Sequence, residues 1–243
     1  MVEASEHSTY LGLPNILGRN KSAVLGYLKD KVNSRIRSWD GNFISRAGKE
    51  ILVKQVAQAL PVYAINVFLL PLEITRNIEK CLTKYWWNSG QTNNSKIIWM
   101  NWERLSNHKN HGGMGFRNFR DFNNAMLANQ LWRLATNPQS LVSRVYKARY
   151  FDKTDVLRAE QGHNPSFIWR SLMEAQQVLR QGMRWRVGNG KSIQILDQPW
   201  LLTTENPYIT TTTAALQGHT VDSLMCMDRM EWDLDVVAGV LNE

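Results

Sequence analysis

Cysteine is scarce in this sequence, and long apolar runs are absent. The 243 residues contain two cysteines, Cys81 and Cys226, which excludes a disulfide-built scaffold and a four-cysteine zinc site. Cysteine usage this low fits a reducing intracellular compartment, the nucleus or the cytoplasm. The longest uncharged apolar stretch, 60–72, has 13 residues, fewer than the roughly 20 that a membrane-spanning helix needs. Ten Trp, seven Phe and seven Tyr exclude a chain that is disordered throughout.

Both ends of the chain lack features of a finished structure. Residues 1–7 have neither the basic start nor the apolar centre of a signal peptide. The run 10–14 predicts the last strand of a sheet whose other strands are missing, because a lone strand cannot satisfy its backbone. Residues 233–241 predict the opening of a helix. The sequence therefore reads as truncated at both ends.

Charge is distributed unevenly along the chain. Residues 1–190 hold 27 Lys and Arg side chains against 13 Asp and Glu, whereas residues 191–243 hold 2 against 8. A strongly basic body is typical of proteins that bind a polyanion. A well-solvated surface explains the same excess, so charge alone leaves both interpretations open.

Helical periodicity dominates the chain up to residue 182. Leu25, Leu28, Val32 and Ile36 form one stripe of a 3.6-residue period. Apolar patterns, together with Ser45 and Ser166 as N-caps and Pro71 in a first turn, indicate the helices. They are predicted over 21–38, 45–59, 72–87, 121–135, 140–150 and after Ser166. The fourth of these is apolar on all sides, which predicts a central position.

After Gly182 the pattern changes to a period of two. Residues 183–187 and 191–195 alternate in polarity around Gly188, Asn189 and Gly190, which predicts a β-hairpin. The predicted fold class is mainly α: a helical bundle, a helical connector and a small C-terminal β-hairpin.

Several motifs suggest chemistry but favour structural interpretations. The run 112–115, Gly-Gly-Met-Gly, lacks the Lys-Ser/Thr of a phosphate-binding P-loop and predicts a tight turn with positive φ. His108 and His111 have no nearby Cys or carboxylate to complete a metal site. Trp86 and Trp87 suit helix-end packing better than base stacking, because one of them faces inward in any orientation of the helix. The sequence indicates no cofactor and no metal.

The order of its motifs resembles the region after the palm in plant non-LTR (LINE-type) retrotransposon reverse transcriptases. The resemblance covers about residues 10–240. Each motif is weak alone, and seven in the right order are strong together. They are Tyr-Leu-Gly-Leu-Pro at 10–14, Ile-Arg-Ser-Trp at 36–39, Ser-Arg-Ala-Gly-Lys-Glu-Ile-Leu-Val-Lys at 45–54, Ala-Leu-Pro-Val-Tyr at 59–63 with Leu-Pro at 70–71, Tyr-Trp-Trp at 85–87, Gly-Gly-Met-Gly-Phe at 112–116, and Trp-Arg-Val-Gly-Asn-Gly at 185–190.

The chain also departs from this family. The family's polymerase uses paired aspartates to hold two metal ions, and this sequence has no Asp-Asp pair. The family's Cys/His-rich zinc segment and any ribonuclease H domain are also missing, and Leu196 stands where the family commonly has Trp. The resemblance implies no catalytic residue and no activity by this chain alone.

The resemblance implies a thumb that holds the primer–template duplex after synthesis. Its domain division is a palm-edge remnant over 1–20, a thumb-like helical domain over 21–136, a helical connector over 137–182, and the hairpin with an acidic, truncated tail over 183–243. The implied partners are a duplex bound without regard to sequence and the missing palm, and no membrane is involved.

Three basic residues of the second helix are the first predicted nucleic-acid contacts. Arg46, Lys49 and Lys54 lie where Lys and Arg can release the counterions of phosphates. Lys49 lies on the apolar side of the helical wheel, so its stem covering the core is the alternative. For Lys54 the alternative is an i, i+4 pair with Glu50.

Two further pairs of basic residues complete the predicted binding set. Arg35 and Arg37 flank Ile36 at a helix end, where they either contact phosphate or are simply solvated. Arg184 and Arg186 share one strand face, with Lys191 across the turn, and the alternative is an ordinary polar face.

The sequence thus supports two hypotheses of different classes. The first is a catalytically incomplete reverse transcriptase fragment that grips nucleic acid through backbone phosphates. The second is a non-binding remnant, or a helical interaction module that works with a palm supplied by another chain.

Overall fold

The computed structural model describes most of the chain and divides it into two compact units. The described residues are 9–10, 12–14, 18, 20–39, 44–88, 97–196, 198–203, 206–211, 216–226, 229 and 231–240. The first unit comprises residues 1–179 and the second comprises residues 180–243. The four-part domain division stays a prediction.

Helices build the first unit, which confirms the mainly α fold class. Within the described residues the helices of the chain are α1 (Lys21–Leu25), α2 (Tyr27–Arg37), α3 (Arg46–Ile51), a π-helix (Leu52–Ala57), α4 (Val62–Ile65), α5 (Leu72–Trp87), α6 (Trp102–Ser106), α7 (Phe119–Thr136), α8 (Leu141–Tyr150), α9 (Phe167–Glu174), α10 (Gln176–Gly182) and α11 (Leu234–Val240). Short 3₁₀ turns cover Lys109–His111 and Val221–Leu224. Among the described residues no helix is long and apolar enough to cross a membrane.

Side-chain caps begin several of these helices. The hydroxyls of Ser45, Ser140 and Ser166 accept hydrogen bonds from backbone N–H groups three residues ahead, at 3.1, 3.2 and 3.2 Å. Each bond satisfies a donor that the first helical turn leaves without an intrahelical partner. Helix starts after Ser45 and Ser166 are therefore confirmed.

The predicted stripe of α1 and α2 lies in the core of the first unit. Leu25, Leu28, Val32 and Ile36 are buried, and α2 packs against α5. Helix α7 contacts α4, α5, α8 and α9, which confirms its predicted central position.

The second predicted helix contains a π-helical segment. The N–H of Gln58 donates to the carbonyl of Val53, five residues back, at 3.0 Å. A turn of this kind is wider than an α-turn and rotates the side chains that follow it. The spacing of Leu52, Val56 and Leu60 predicts a buried stripe on this helix. In the structure Val53 and Ala57 are buried, while Leu52 and Val56 are partly buried.

Asn123, on α7, holds the connection between α4 and α5. Its Oδ1 accepts from the N–H of Leu70 at 2.8 Å, and its Nδ2 donates to the carbonyls of Ile65 and Phe68 at 2.8 and 2.9 Å. The side chain has no exposed surface. One amide therefore satisfies three backbone groups of a segment that has few hydrogen bonds of its own.

Glu79, on α5, joins that helix to the start of α7. Its Oε1 accepts from the N–H of Phe119 at 3.0 Å. Burial raises the pKa of Glu79 above its ordinary value of 4.5, and the bond to Phe119 opposes the shift without cancelling it.

This raised pKa predicts a pH dependence of stability. The folded state holds a proton on Glu79 that the unfolded state releases, so its contribution is full below pH 4.5 and is lost as pH rises through the folded pKa. Glu79→Gln keeps an acceptor for Phe119 and should abolish this component in urea unfolding measured from pH 4 to pH 7. Glu73→Gln, at an exposed position of the same helix, is the control and should leave the component intact. An unchanged profile for Glu79→Gln would contradict the assignment.

The short N-terminal run forms a minimal hairpin. Strand β1 (Thr9–Tyr10) pairs antiparallel with β2 (Leu13–Pro14) around Gly12, whose φ is +79°. A role as a palm edge stays a prediction. The Asp-Gly-Asn run at 40–42 predicts a helix break, and the Asn- and Ser-rich run at 88–95 predicts a polar loop. Residues 40–42 and 89–95 lie outside the described residues.

The hairpin predicted over 183–195 is wrong. Residues 183–187 have no regular secondary structure, and 193–195 pair instead with 219–221, through bonds such as Val221 N–H to Ile193 O at 2.8 Å. Gly190 has φ of +73°, and a Cβ there would lie 2.4 Å from the backbone nitrogen of Asp222. The glycine thus permits both a turn of the chain and a close approach to a segment that is distant in sequence.

The second unit has its own small core around this pairing. Its buried side chains are Ile193, Ile195, Trp200, Ile209, Leu216, Val221 and Leu224. The indole of Trp200 donates to the carbonyl of Ile195 at 3.0 Å, so its polar edge is satisfied within that core.

Candidate nucleic-acid interface

Three helix ends meet at one place in the first unit. The rings of Trp39, just after α2, and Tyr85, in the last turn of α5, lie 5.5 Å apart. The guanidinium of Arg46, the first residue of α3, lies 5.5 and 5.4 Å from the rings of Trp86 and Trp87. The ends of α2 and α5 therefore lie beside the start of α3.

Four exposed basic side chains belong to these helix ends, and we call them the basic corner: Arg35, Arg37, Arg46 and Lys84. The first two lie in the last turn of α2 and Lys84 lies in the last turn of α5. No carboxylate among the described residues forms an ion pair with any of the four. Cations at helix C-termini are favoured by the helix dipole, which accounts for part of their placement.

Lys49 points into the protein from α3. Its side chain is 8% exposed, and its ammonium donates to the carbonyls of Tyr85, at 3.2 Å, and Asn88. It also lies 5.0 Å from the centre of the Tyr85 ring. The ammonium thus serves carbonyls that the end of α5 leaves without intrahelical donors. We therefore leave Lys49 out of the basic corner, and its binding role stays a prediction.

Lys54 forms the ion pair that the sequence offered as an alternative. Its ammonium lies 2.7 Å from a carboxylate oxygen of Glu50, and the same oxygen lies 2.8 Å from Lys109. The hydrogen bond from Lys109 lowers the pKa of Glu50 most, followed by that from Lys54. The three side chains tie the 3₁₀ turn at 109–111 to the α3 segment.

The paired tryptophans pack into the fold, as predicted. Trp86 is buried and meets the ring of Phe116 edge-on at 5.2 Å, and Phe116 in turn stacks on Trp102 at 5.2 Å. Trp87 is partly buried and donates from its indole to the carbonyl of Met100 at 3.1 Å. Their other faces lie near Arg46, which helps to fix that side chain.

The Gly-rich turn at 112–115 is a structural element. Gly112 and Gly115 have φ of +75° and +66°, which confirms the predicted positive-φ turn. Gly113 lies so close to the end of α6 that a Cβ would be 2.0 Å from the carbonyl oxygen of Asn107. His108 and His111 lie with ring centres 6.3 Å apart on this turn. Among the described residues no cluster of three His, Cys, Asp or Glu could hold a metal ion.

Arg184 and Arg186 lie in the second unit. The Arg184 guanidinium donates to the carbonyls of Gln181 and Met183 at 2.9 and 2.7 Å, and the side chain is partly buried. Arg186 is exposed. Both line a groove of about 770 Å³ that also contains three tryptophans.

Sequence reasoning missed Lys84. It is the last of three exposed basic residues on α5, after Arg76 and Lys80, at spacings of four. That spacing places all three on one face of the helix. The signal was present in the sequence, and these residues extend the basic corner along α5.

The chain is similar to two proteins of Arabidopsis thaliana. An "Uncharacterized mitochondrial protein" is 34% identical over 145 residues, which are 59% of this chain and 94% of that protein. A "Putative ribonuclease H protein" is 25% identical over 194 residues, which are 78% of this chain and 31% of that protein. The chain thus spans about a third of the second relative's length. No family model matches the chain.

Proposed function

This chain belongs to the family of the uncharacterized mitochondrial protein of Arabidopsis thaliana, and on that premise we propose that it is a retrotransposon-related protein. In the finer form of the proposal, its first unit is a reverse transcriptase thumb that holds a primer–template duplex. The similarity to a plant protein named for ribonuclease H supports the retrotransposon origin. The order of the motifs between residues 10 and 190, which resembles the region after the palm, supports the thumb assignment.

The basic corner is the observation that carries this proposal. It presents four exposed cations that no described carboxylate neutralises, at the junction of three helix ends. Such a surface attracts a phosphate backbone and releases its counterions. Phosphate contacts carry no base information, so the duplex would be bound without regard to sequence.

Neutralising the basic corner should weaken duplex binding. We expect Arg35→Gln, Arg37→Gln, Arg46→Gln and Lys84→Gln together to lower affinity for a primer–template duplex about 30-fold at low salt. The slope of log K against log salt should fall by about 0.9 for each phosphate that the variant no longer engages. Fluorescence anisotropy with a labelled RNA–DNA hybrid, repeated over a salt series, measures both quantities.

The matched control removes four exposed cations elsewhere in the first unit. Arg133→Gln lies in the last turn of α7, and Arg144→Gln, Lys147→Gln and Lys153→Gln lie on or just after α8. If this control weakens binding as much as the corner variant does, the corner is not the binding surface. A wild-type chain with no affinity at low salt would overturn the duplex proposal itself.

An interaction module that works with a palm from another chain is the second candidate. Leu141, Val142 and Val145 are exposed on α8, beside a largely apolar groove of about 970 Å³. Exposed apolar side chains in a group are typical of a surface that another protein covers. Absence of nucleic-acid binding in the preceding titration would favour this candidate.

A further inference from the structure

The groove in the second unit combines tryptophans with arginines. Its wall contains Trp185, Trp200 and Trp232, and Arg184 and Arg186 lie at one side. The rings of Trp200 and Trp232 stack at 5.7 Å with an angle of 20° between their planes. The volume is about 770 Å³, and no acidic side chain lines the groove among the described residues.

Several apolar side chains that line this groove are unusually exposed. Trp232 is 42% exposed, and two lining leucines, Leu202 and Leu234, are 95% and 75% exposed. Large apolar side chains of a folded unit rarely stay this open when they form a group, unless a ligand or partner covers them. Trp200 is buried beneath Trp232 and supports its ring.

The two arginines indicate that the ligand of this groove carries negative charge. Arg184 uses one guanidinium nitrogen on backbone carbonyls, and this fixes its direction. Its remaining N–H groups and the exposed Arg186 can donate to an anion. Phosphate and carboxylate groups match the fork of a guanidinium.

We propose that this groove binds single-stranded nucleic acid, with a base stacked on Trp232 and the adjoining phosphates at Arg184 and Arg186. Planar bases suit the tryptophan face, and stacking of this kind accepts any base. A duplex keeps its bases within its own stack, so only an unpaired strand can reach the tryptophan. The inference rests on the proposed nucleic-acid function and adds a second, separate site with a preference for unpaired strands.

The acidic residues that the structure describes near the groove do not form its wall. Asp233 accepts from the N–H of Val236 at 3.2 Å at the start of α11, and the side chain of Thr220 donates to Asp222. These carboxylates therefore have partners within the unit. Because residues 191–243 carry an excess of acidic side chains, the groove can engage only a few phosphates. The affinity should therefore depend weakly on salt concentration.

The test measures binding of a labelled oligothymidine of about 12 nucleotides, a length that single-strand-binding grooves cover. We expect Trp232→Leu to lower affinity about 10-fold, and Arg186→Gln to lower it about 5-fold. With two phosphates engaged, the salt slope should be about 1.4, since single strands release about 0.7 counterion per contact. Circular dichroism of each variant checks that the full chain keeps its helices.

Lys191→Gln is the matched control, because it removes an exposed cation of the same unit outside the groove wall. Equal losses for Lys191→Gln and Arg186→Gln would mean diffuse attraction and would overturn the inference. Full retention of oligothymidine binding in Trp232→Leu would also overturn it.

The same variants separate this inference from the proposed function. Trp232→Leu should keep duplex binding, while the corner variant should lose duplex binding and keep oligothymidine binding. A wild-type chain that binds the duplex but not oligothymidine removes the groove proposal and leaves the thumb proposal standing. A chain that binds only oligothymidine removes the thumb proposal and supports the groove.

Discussion

Replacing Asn123 with leucine should lower the free energy of unfolding by about 3–5 kcal/mol. The substitution keeps the branching of the side chain but replaces its amide with two methyl groups, which leaves the N–H of Leu70 and the carbonyls of Ile65 and Phe68 without partners. Each buried, unsatisfied backbone group costs about 1–3 kcal/mol. Because the side chain has no exposed surface, water cannot replace the missing bonds without opening the core.

Urea unfolding of the full chain, followed by circular dichroism at the helix band, measures this loss. Asn129→Leu is the control, since Asn129 is exposed on the same helix, and its effect should stay within about 0.5 kcal/mol. Asn123→Asp keeps the acceptor for Leu70 and removes both donors. It should therefore also lower the free energy of unfolding. A loss below about 1 kcal/mol for Asn123→Leu would contradict the role assigned to this amide.

Gly113→Ala should be the second strongly destabilising change, at about 3 kcal/mol. The added methyl would lie 2.0 Å from the carbonyl oxygen of Asn107 and 2.5 Å from its carbonyl carbon. Both atoms are backbone, so no rotamer change can relieve the overlap. The turn would have to separate from α6, breaking the bonds from Met114 to Leu105 and from Gly115 to Asn107 at 2.9 and 2.8 Å.

Gly112→Ala is the matched control for that change. Gly112 has φ of +75° but open space around its Cα, so alanine there meets backbone strain without overlap and should cost about 1 kcal/mol. The two alanine variants therefore separate close approach from conformation within one turn. Equal losses in urea unfolding would show that the approach to Asn107 is not limiting.

Most helices could be predicted from the sequence because the patterns that indicate a helix involve residues close to one another in the chain. Apolar spacing located α2, Pro71 located the start of α5, and serine caps located the starts of α3 and α9. The π-helix could not be predicted, since its residues carry no distinctive pattern in the sequence.

The second unit shows where local reasoning fails. The alternating residues before and after Gly188–Asn189–Gly190 matched a hairpin, but the strand partner of 193–195 is the segment 219–221. The positive φ of Gly190 agrees with the predicted turn, but its close approach to the backbone of Asp222 involves a residue 32 positions away. A local pattern in the sequence could not predict that approach.

The candidate site was partly predictable for the same reason. Glu50 lies four residues before Lys54, so their pair could be read from the sequence, whereas Lys109 as a second partner could not. The helical wheel places Lys49 on the apolar side of its helix, an unusual position for a lysine. Its hydrogen-bond partners at the end of α5 lie 36 and 39 residues away in the sequence. Apolar periodicity does not depend on carbonyl groups that are distant in the sequence, so these hydrogen bonds could not be predicted.

The π-helix affects which single-residue deletions the helices of the first unit can tolerate. A turn closed between residues five apart, as between Val53 and Gln58, holds one residue more than an α-turn. Losing one codon in 52–57 would let the segment shorten to ordinary helical geometry while Ser45 and Pro61 keep their positions in the fold. A single-codon deletion elsewhere in these helices would rotate every following side chain by about 100°. This segment can therefore absorb the loss of one residue within a helix.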